Sequence, residues 1–546
     1  MNNIETVLLL MAVLSGLTLL TQRLKIPYTI LLIVAGLIIG FVPSLPNVEL
    51  KPDVAFLIFL PPLLYEASGN ISWHEFRTFS QPISLLAIGL VFFTTTAVAI
   101  VAHYAIPGFS WPLAFVLGAV ISPPDAVAAT SVTRGLGLPK RIIVILEGES
   151  LVNDASALIA YRFAIATVLS GSFVLWEAGL QFLFVAGGGI VIGILLGVIA
   201  RLIHNQLDNP TVATTLSLLL PFISYLLAEH FGTSGVLAVV SAGLYLAWHS
   251  YEIYSFQTRM QINGFWNILI FLLNGFVFIL IGTELPFIVS GLEKDELPKL
   301  IGYGFLISLV AILTRIVWVF PVTYLFSFFK TRKKRAGSIR QFSRNELFIT
   351  SWAGMRGVVS LATALSIPYK LRSGQAFPYR SEILFITFMV IVVTLVLQSL
   401  TLPVFVKWLN VSEPKDKEEQ EERTMRLALL VSSITFIESE LSLTLNNQVL
   451  TELKERFEQQ INYLNGVVRT DENPRLHRSD TLPEAFREYI ESEAKIVHHQ
   501  RTQIIKWHKE GTYSEEAIRR IEQELDIRSL SLQTRLRRIV PSGGLI

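Results

Sequence analysis

The sequence predicts an all-α polytopic membrane protein, with about thirteen transmembrane helices in inverted six-helix repeats, two of them interrupted, and a helical cytosolic C-terminal domain. Three observations carry this. Of 546 residues, 52% are hydrophobic and 16% charged, with a mean hydropathy of +0.53, more apolar and less charged than an ordinary soluble domain. Apolar stretches long enough to cross a hydrocarbon core recur to about residue 410, and the composition turns charged at "SEPKDKEEQEER" (412–423). Two of the stretches are also broken in mid-span by proline or glycine beside a charge.

The expected spans are 5–22, 26–43, 53–67, 80–104, 111–133, 141–170, 178–204, 210–229, 233–249, 262–288, 299–329, 345–368 and 382–409. The first carries Glu5 ahead of it and Arg23 and Lys25 behind it, the reverse of a secretory signal's positive leading region, so it is expected to be retained. Orientation follows from Lys and Arg in the loops. With the N-terminus outside, inward loops hold fifteen, seven of them between Lys330 and Arg344, and outward loops hold six, which predicts a cytoplasmic C-terminus. The loop "YKLRSGQAFPYR" (369–380) runs against that trend, whereas acidic "LEKDELPK" (292–299) suits an external face. The predicted domains are therefore a membrane part, 1–411, and an amphipathic helical tail, 412–546, in which Thr512 and Glu515 have the spacing of a capping box. Net charge of +2 argues against a nucleic-acid partner, and the absence of cysteine excludes disulfides and thiolate metal sites.

A charge at the bilayer centre costs several kcal/mol on insertion scales, so an ionisable residue inside a span marks a site or a pair. Glu66, Asp125, Glu147, Glu149, Asp154, Arg162, Arg315 and Arg356 are such residues. In "EGESLVNDASALIAYRF" (147–163), helical spacing gathers Glu149, Ser150, Asn153 and Asp154 within a sector of about 140°, so one helix face is polar at mid-membrane. Glu147 borders that sector, and Arg162 points elsewhere, as a snorkelling or structurally paired side chain does.

"VISPPDAVAAT" sets Pro123 and Pro124 ahead of Asp125 within one span, and "WAGMRGVVSLATALSIP" sets Gly354 and Gly357 about Arg356 in another, seven spans later. Interrupted helices are tolerated at membrane depth only where backbone is buried in protein or lines a cavity, and a pair of them in corresponding halves points to a transporter's site. The odd offset inverts one repeat relative to the other. Asp125 can then neutralise the positive N-terminal helix ends and Arg356 the negative C-terminal ends.

"SPPDAVAAT", "EGESLVNDA", "GMRGVVSLATALSIP" and "FLPPLLYEASGN" (59–70) resemble the cation:proton antiporter superfamily, specifically its bacterial sodium/proton exchanger branch, over about residues 5 to 410. The resemblance implies that Asp154 binds either cation or proton, and that Asn153 stands where electrogenic relatives carry a second aspartate. It implies that Asp125 is the acid at the helix crossing, that Ser150 and Glu66 are cation ligands, and that Glu149 and Arg356 form a buried ion pair. It further implies a homodimer in a bacterial inner membrane, no cofactor, and a sodium ion and a proton as transported substrates. Asp154, Ser150 and Asp125 are then the metal-binding set.

The chemistry also stands on the residues alone. Burial favours a protonated carboxyl and a bound cation favours the ionised one, so proton and cation compete for Asp154. Hard monovalent cations take oxygen ligands, and Ser150 with a freed carbonyl near Pro123 supplies them. Potassium in place of sodium fits the same ligands. A passive cation channel has less use for a titratable acid in its path, and "FGTSG" (231–235), with the G-x-S-G of an intramembrane serine protease, lacks the other signatures of such an enzyme. The row Gly189, Gly193, Gly197 reads as close helix packing, and the basic run 330–344 as a topology signal in contact with anionic lipid.

Overall fold

The computed structural model describes residues 3–24, 28–41, 52–133, 136–171, 175–293, 295–330, 342–371, 374–412, 415–465 and 483–539, and the regular secondary structure of these residues is all helical apart from one isolated bridge between Lys370 and Ala376. The basic run between Lys330 and Arg344 lies largely outside the described residues.

The helices of the membrane part are α1 (Asn3–Leu24), α2 (Tyr28–Gly40), α3 (Pro52–Asn70), α4 (Trp73–Thr78), α5 (Ser80–Ser84), α6 (Val91–Ala105), α7 (Trp111–Ile121), α8 (Ala126–Thr133), α9 (Lys140–Ser170), α10 (Leu175–His204), α11 (Pro210–His230), α12 (Gly235–Ile253), α13 (Phe256–Ser290), α14 (Leu297–Lys330), α15 (Arg344–Trp352), α16 (Val358–Leu365) and α17 (Arg380–Trp408). A π-helical stretch, Leu85–Leu90, joins α5 to α6. Among the described residues, seven helices are long and apolar enough to cross a membrane by length and composition, and the chain is a multi-pass membrane protein. The acid-bearing α9 and the interrupted pairs α7/α8 and α15/α16 are not among the seven.

The chain divides into two compact units: Met1–Gln206, Thr214–His249 and Gly264–Ser412 form one, and Leu207–Ala213, Ser250–Asn263 and Glu413–Ile546 the other. In the first, the core is built from α6, α7, α9, α14 and α17, through residues such as Val98, Leu117, Ile142, Ile307 and Ile391. Lipid tails are as apolar as leucine, so contact between these helices rests on packing rather than on escape from water. Small residues permit it. A Cβ on Gly193 of α10 would strike the carbonyl of Ala238 on α12, which is the close packing expected of the glycine row.

The loop 369–380, which runs against the charge trend, holds one of its own cations. Arg380 donates to the carbonyls of Ile367 (3.0 Å) and Leu365 (3.2 Å) and lies over the Tyr369 ring at 4.0 Å, so this cation is committed to the loop rather than available as a topology signal.

The second unit contains α18 (Lys415–Phe436), α19 (Asn447–Leu464), α20 (Pro483–Glu510) and α21 (Glu515–Ile539), with a π-helical stretch, Ile437–Leu441, after α18. Their apolar stripes meet in a core of its own that includes Met425, Phe457, Ile490 and Ile521. Segments 207–213 and 250–263, which the sequence assigns to the membrane part, cluster with these helices, and in the second of them Arg259 makes two hydrogen bonds to Asp526 (3.0 and 2.8 Å) and pairs with Glu522 (3.0 Å). The expected capping box at Thr512 does not form. Ser514 caps α21, its hydroxyl accepting from the Ala517 amide, while Glu515 accepts from the Tyr251 hydroxyl at 2.6 Å.

Candidate functional site

Two helices end in mid-unit and two others begin there. Pro124 and its neighbour Pro123 lack the amide hydrogens that would continue α7, so the helix stops at Ile121 and residues Ser122 to Asp125 are non-helical before α8 begins. Ala353 to Gly357 likewise separate α15 from α16. The breaks meet: the Asp125 amide donates to the Met355 carbonyl at 2.7 Å. Each charge at the crossing serves a helix end. Asp125 accepts from the Ala128 amide in the first turn of α8 (3.4 Å), and Arg356 donates to the Ile121 carbonyl that ends α7 (2.9 Å) and to the Gly354 carbonyl. Glycine is required at Gly357 by space, since a Cβ there would overlap the Asp125 carboxylate.

The third wall is α9. Lys140 pairs with Glu75 at one end of this helix, and Tyr161 accepts a hydrogen bond from Ser366 at 3.0 Å near the other. Asp154 lies between them, about 21 Å along from Lys140 at the usual helical rise. It is 5% exposed, and Asp125 lies within coulombic reach. Asn153, fully buried, donates to the Pro124 carbonyl at 3.2 Å and so ties α9 to the first break.

Asp154, Asp125, Ser150 and Glu66 open onto one cavity of about 220 Å³. Its described lining has carboxylates and no lysine, arginine or histidine, so the cavity favours cations. Glu66, on α3, accepts a hydrogen bond from Asn70, another lining residue. Glu147 lines the cavity as well.

The expected ion pair between Glu149 and Arg356 is corrected. Glu149 pairs with Arg315 of α14, whose two terminal nitrogens meet the two carboxylate oxygens, one of them at 2.7 Å. Arg315 also donates twice to the Thr350 carbonyl, at 3.2 and 3.3 Å. Arg356 is occupied by the open carbonyls of the breaks, a demand that a spacing argument on side chains alone does not register. Both arginines lie within coulombic range of each other and of Glu149.

Residues 9–408 match the sodium/hydrogen exchanger transmembrane family. The chain belongs to that family. That family is one of transporters rather than enzymes. The chain is 34% identical over 423 residues to the sodium, potassium, lithium and rubidium/H(+) antiporter of Bacillus pumilus, which covers 76% of this chain and 62% of that relative. The chain therefore spans less than two thirds of the length of that relative. It is 36% identical over 412 residues to an uncharacterized Na(+)/H(+) exchanger of Mycobacterium bovis, 74% of each chain. The structure of the sodium proton antiporter MjNhaP1 from Methanocaldococcus jannaschii at pH 8 shares the fold, with a TM-score of 0.58 and 22% identity over 75% of this chain and 99% of that one.

Within this exchanger fold, other sequence candidates find ordinary roles. One terminal guanidinium nitrogen of Arg162 donates to both carboxylate oxygens of Glu229, each at 2.7 Å. Ser234, the serine of the protease-like motif, caps α12 by accepting from the Leu237 amide at 3.2 Å. Two features escaped the sequence reading. Ser343 and Glu346 form a capping box that starts α15, and the S-x-x-E spacing was there to find. Glu284 of α13 lines the cavity, and a lone acid in the span 262–288 was its signal.

Proposed function

We propose that the chain exchanges sodium, or another monovalent cation, for protons across a bacterial inner membrane by alternating access at Asp154, with no cofactor. The observation that carries this reading is a buried, titratable carboxylate on a cation-favouring cavity at the crossing of two broken helices. Protonation of Asp154 removes the charge that holds the cation, and cation binding displaces the proton, so one oxygen pair serves both ions in turn. Ser150 and Asp125 contribute oxygen and charge beside it, with Glu66 further along the same cavity. Glu149 with Arg315, and Arg356 at the helix end, hold the crossing in shape. The loop charges support an external N-terminus and a cytosolic helical tail. Exposed apolar rows such as Leu183, Phe184 and Val191 on α10 suit lipid or a second copy of the chain, in keeping with a homodimer.

Asn153 is a neutral hydrogen-bond donor where a second acid would add a proton, which supports one proton exchanged for one monovalent cation with no net charge moved. The name of the Bacillus pumilus relative includes potassium, lithium and rubidium beside sodium, so potassium/proton exchange is the second reading of the same site. Purified chain in proteoliposomes with clamped membrane potential and an internal pH dye tests both. Sodium-driven proton flux independent of potential supports electroneutral exchange, and a current at zero proton gradient rules it out. A response to potassium equal to that for sodium moves the substrate to potassium.

A further inference from the structure

On α16, Thr363 donates to the Val359 carbonyl at 2.7 Å, in the usual way that a helical hydroxyl returns its proton to the preceding turn. Ser360 does not. The residues three and four positions before it are Gly357 and Arg356, which lie in the break rather than in a helical turn. Its Oγ is buried without a hydrogen-bond partner, the residue being 1% exposed, and it lines the same cavity as Asp154. A buried hydroxyl left unmet costs about 1–3 kcal/mol, so such a group at a binding cavity has an occupant when the cavity is filled.

We propose that Ser360 is a cation ligand of the transport site, supplying a neutral oxygen from the second broken helix opposite the Asp154 carboxylate and Ser150 hydroxyl of α9. The ion then joins the two repeats: α9 contributes charge, and α16 a hydroxyl that the helix break has freed from its own backbone. A neutral ligand adds affinity and shape without adding a proton, so it influences which cation is held and how tightly, and leaves the proton count to Asp154. This inference rests on the exchanger reading above.

The test is Ser360→Ala beside Ser360→Thr and Asp154→Asn, each as the full chain in proteoliposomes, with sodium, lithium and potassium as the cations. Loss of one good oxygen ligand raises the half-saturating sodium concentration about tenfold in Ser360→Ala, with the maximal rate falling less than about threefold, and alters the sodium-to-lithium preference. Ser360→Thr, which keeps the hydroxyl, restores most of the affinity. Melts in sodium-free detergent separate a ligand from a structural hydroxyl: Ser360→Ala melts at or above the wild type because an unmet polar group has been removed. The sodium-induced rise in melting temperature shrinks at the same time. Unchanged half-saturation and unchanged ion preference in Ser360→Ala overturn the inference, as does a sodium-free melt well below wild type with no change in ion dependence. Exchange retained in Asp154→Asn would instead overturn the exchanger site itself.

Discussion

Arg315→Met should be among the most damaging single changes in the membrane part. It removes both donors to Glu149, a carboxylate 1% exposed, and both donors to the Thr350 carbonyl. Breaking one side of a buried pair costs about 3–5 kcal/mol, because the remaining charge keeps its desolvation penalty and loses its partner. Arg356 is held by backbone carbonyls and does not turn to Glu149 without abandoning the end of α7. The double change Glu149→Gln with Arg315→Met leaves no buried charge there and should recover at least about 2 kcal/mol relative to the sum of the single changes. Detergent-unfolding titrations of the four proteins give this coupling, and the same cycle on Glu149 and Arg356 serves as the control. A coupling to Arg356 larger than that to Arg315 would refute the assignment.

Gly357→Ala should abolish exchange in proteoliposomes while the protein remains folded, because the new Cβ occupies the volume of the Asp125 carboxylate at the crossing; wild-type transport would show that the breaks are not held this closely. In the tail, burial pushes the Glu522 carboxyl up to about 7 from its ordinary 4.5, with Asp526 and Glu515 adding to the rise and Arg259 and Arg501 opposing it. The folded state then holds a proton that the unfolded chain releases, so stability falls as pH rises from about 4.5 to 7, by on the order of 3 kcal/mol for this group. Glu515 and Glu493, held below the usual carboxylate range despite burial by His508 and by Arg528 and Arg456 respectively, act in the opposite sense and only on acidification. Melts of the second unit within the full chain at pH 5 and pH 8 should therefore converge in Glu522→Gln; an undiminished pH dependence would remove Glu522 as its source.

The interrupted helices were legible because proline has no amide hydrogen and glycine no Cβ: those are local properties, written in "SPPD" and "GMRG". The acids of α9 were legible because charge in an apolar span is rare. The partner of Glu149 was not, since helical periodicity gives the face of one helix but not which of two arginines on other helices reaches it. Ser360 was hidden for a related reason. A serine in an apolar run looks ordinary until the break behind it is known to remove its acceptor. The membership of 250–263 in the second unit was equally out of reach, because Arg259 and Asp526 are joined only by folding.

The central claim is that one titratable carboxylate, Asp154, carries both ions. Radioactive sodium uptake driven by an outward proton gradient, measured in proteoliposomes for the wild type and Asp154→Asn at matched protein density, tests it most directly. The account predicts uptake that saturates with sodium in the wild type and none above the lipid background in Asp154→Asn. Gradient-driven sodium uptake persisting in Asp154→Asn would contradict it.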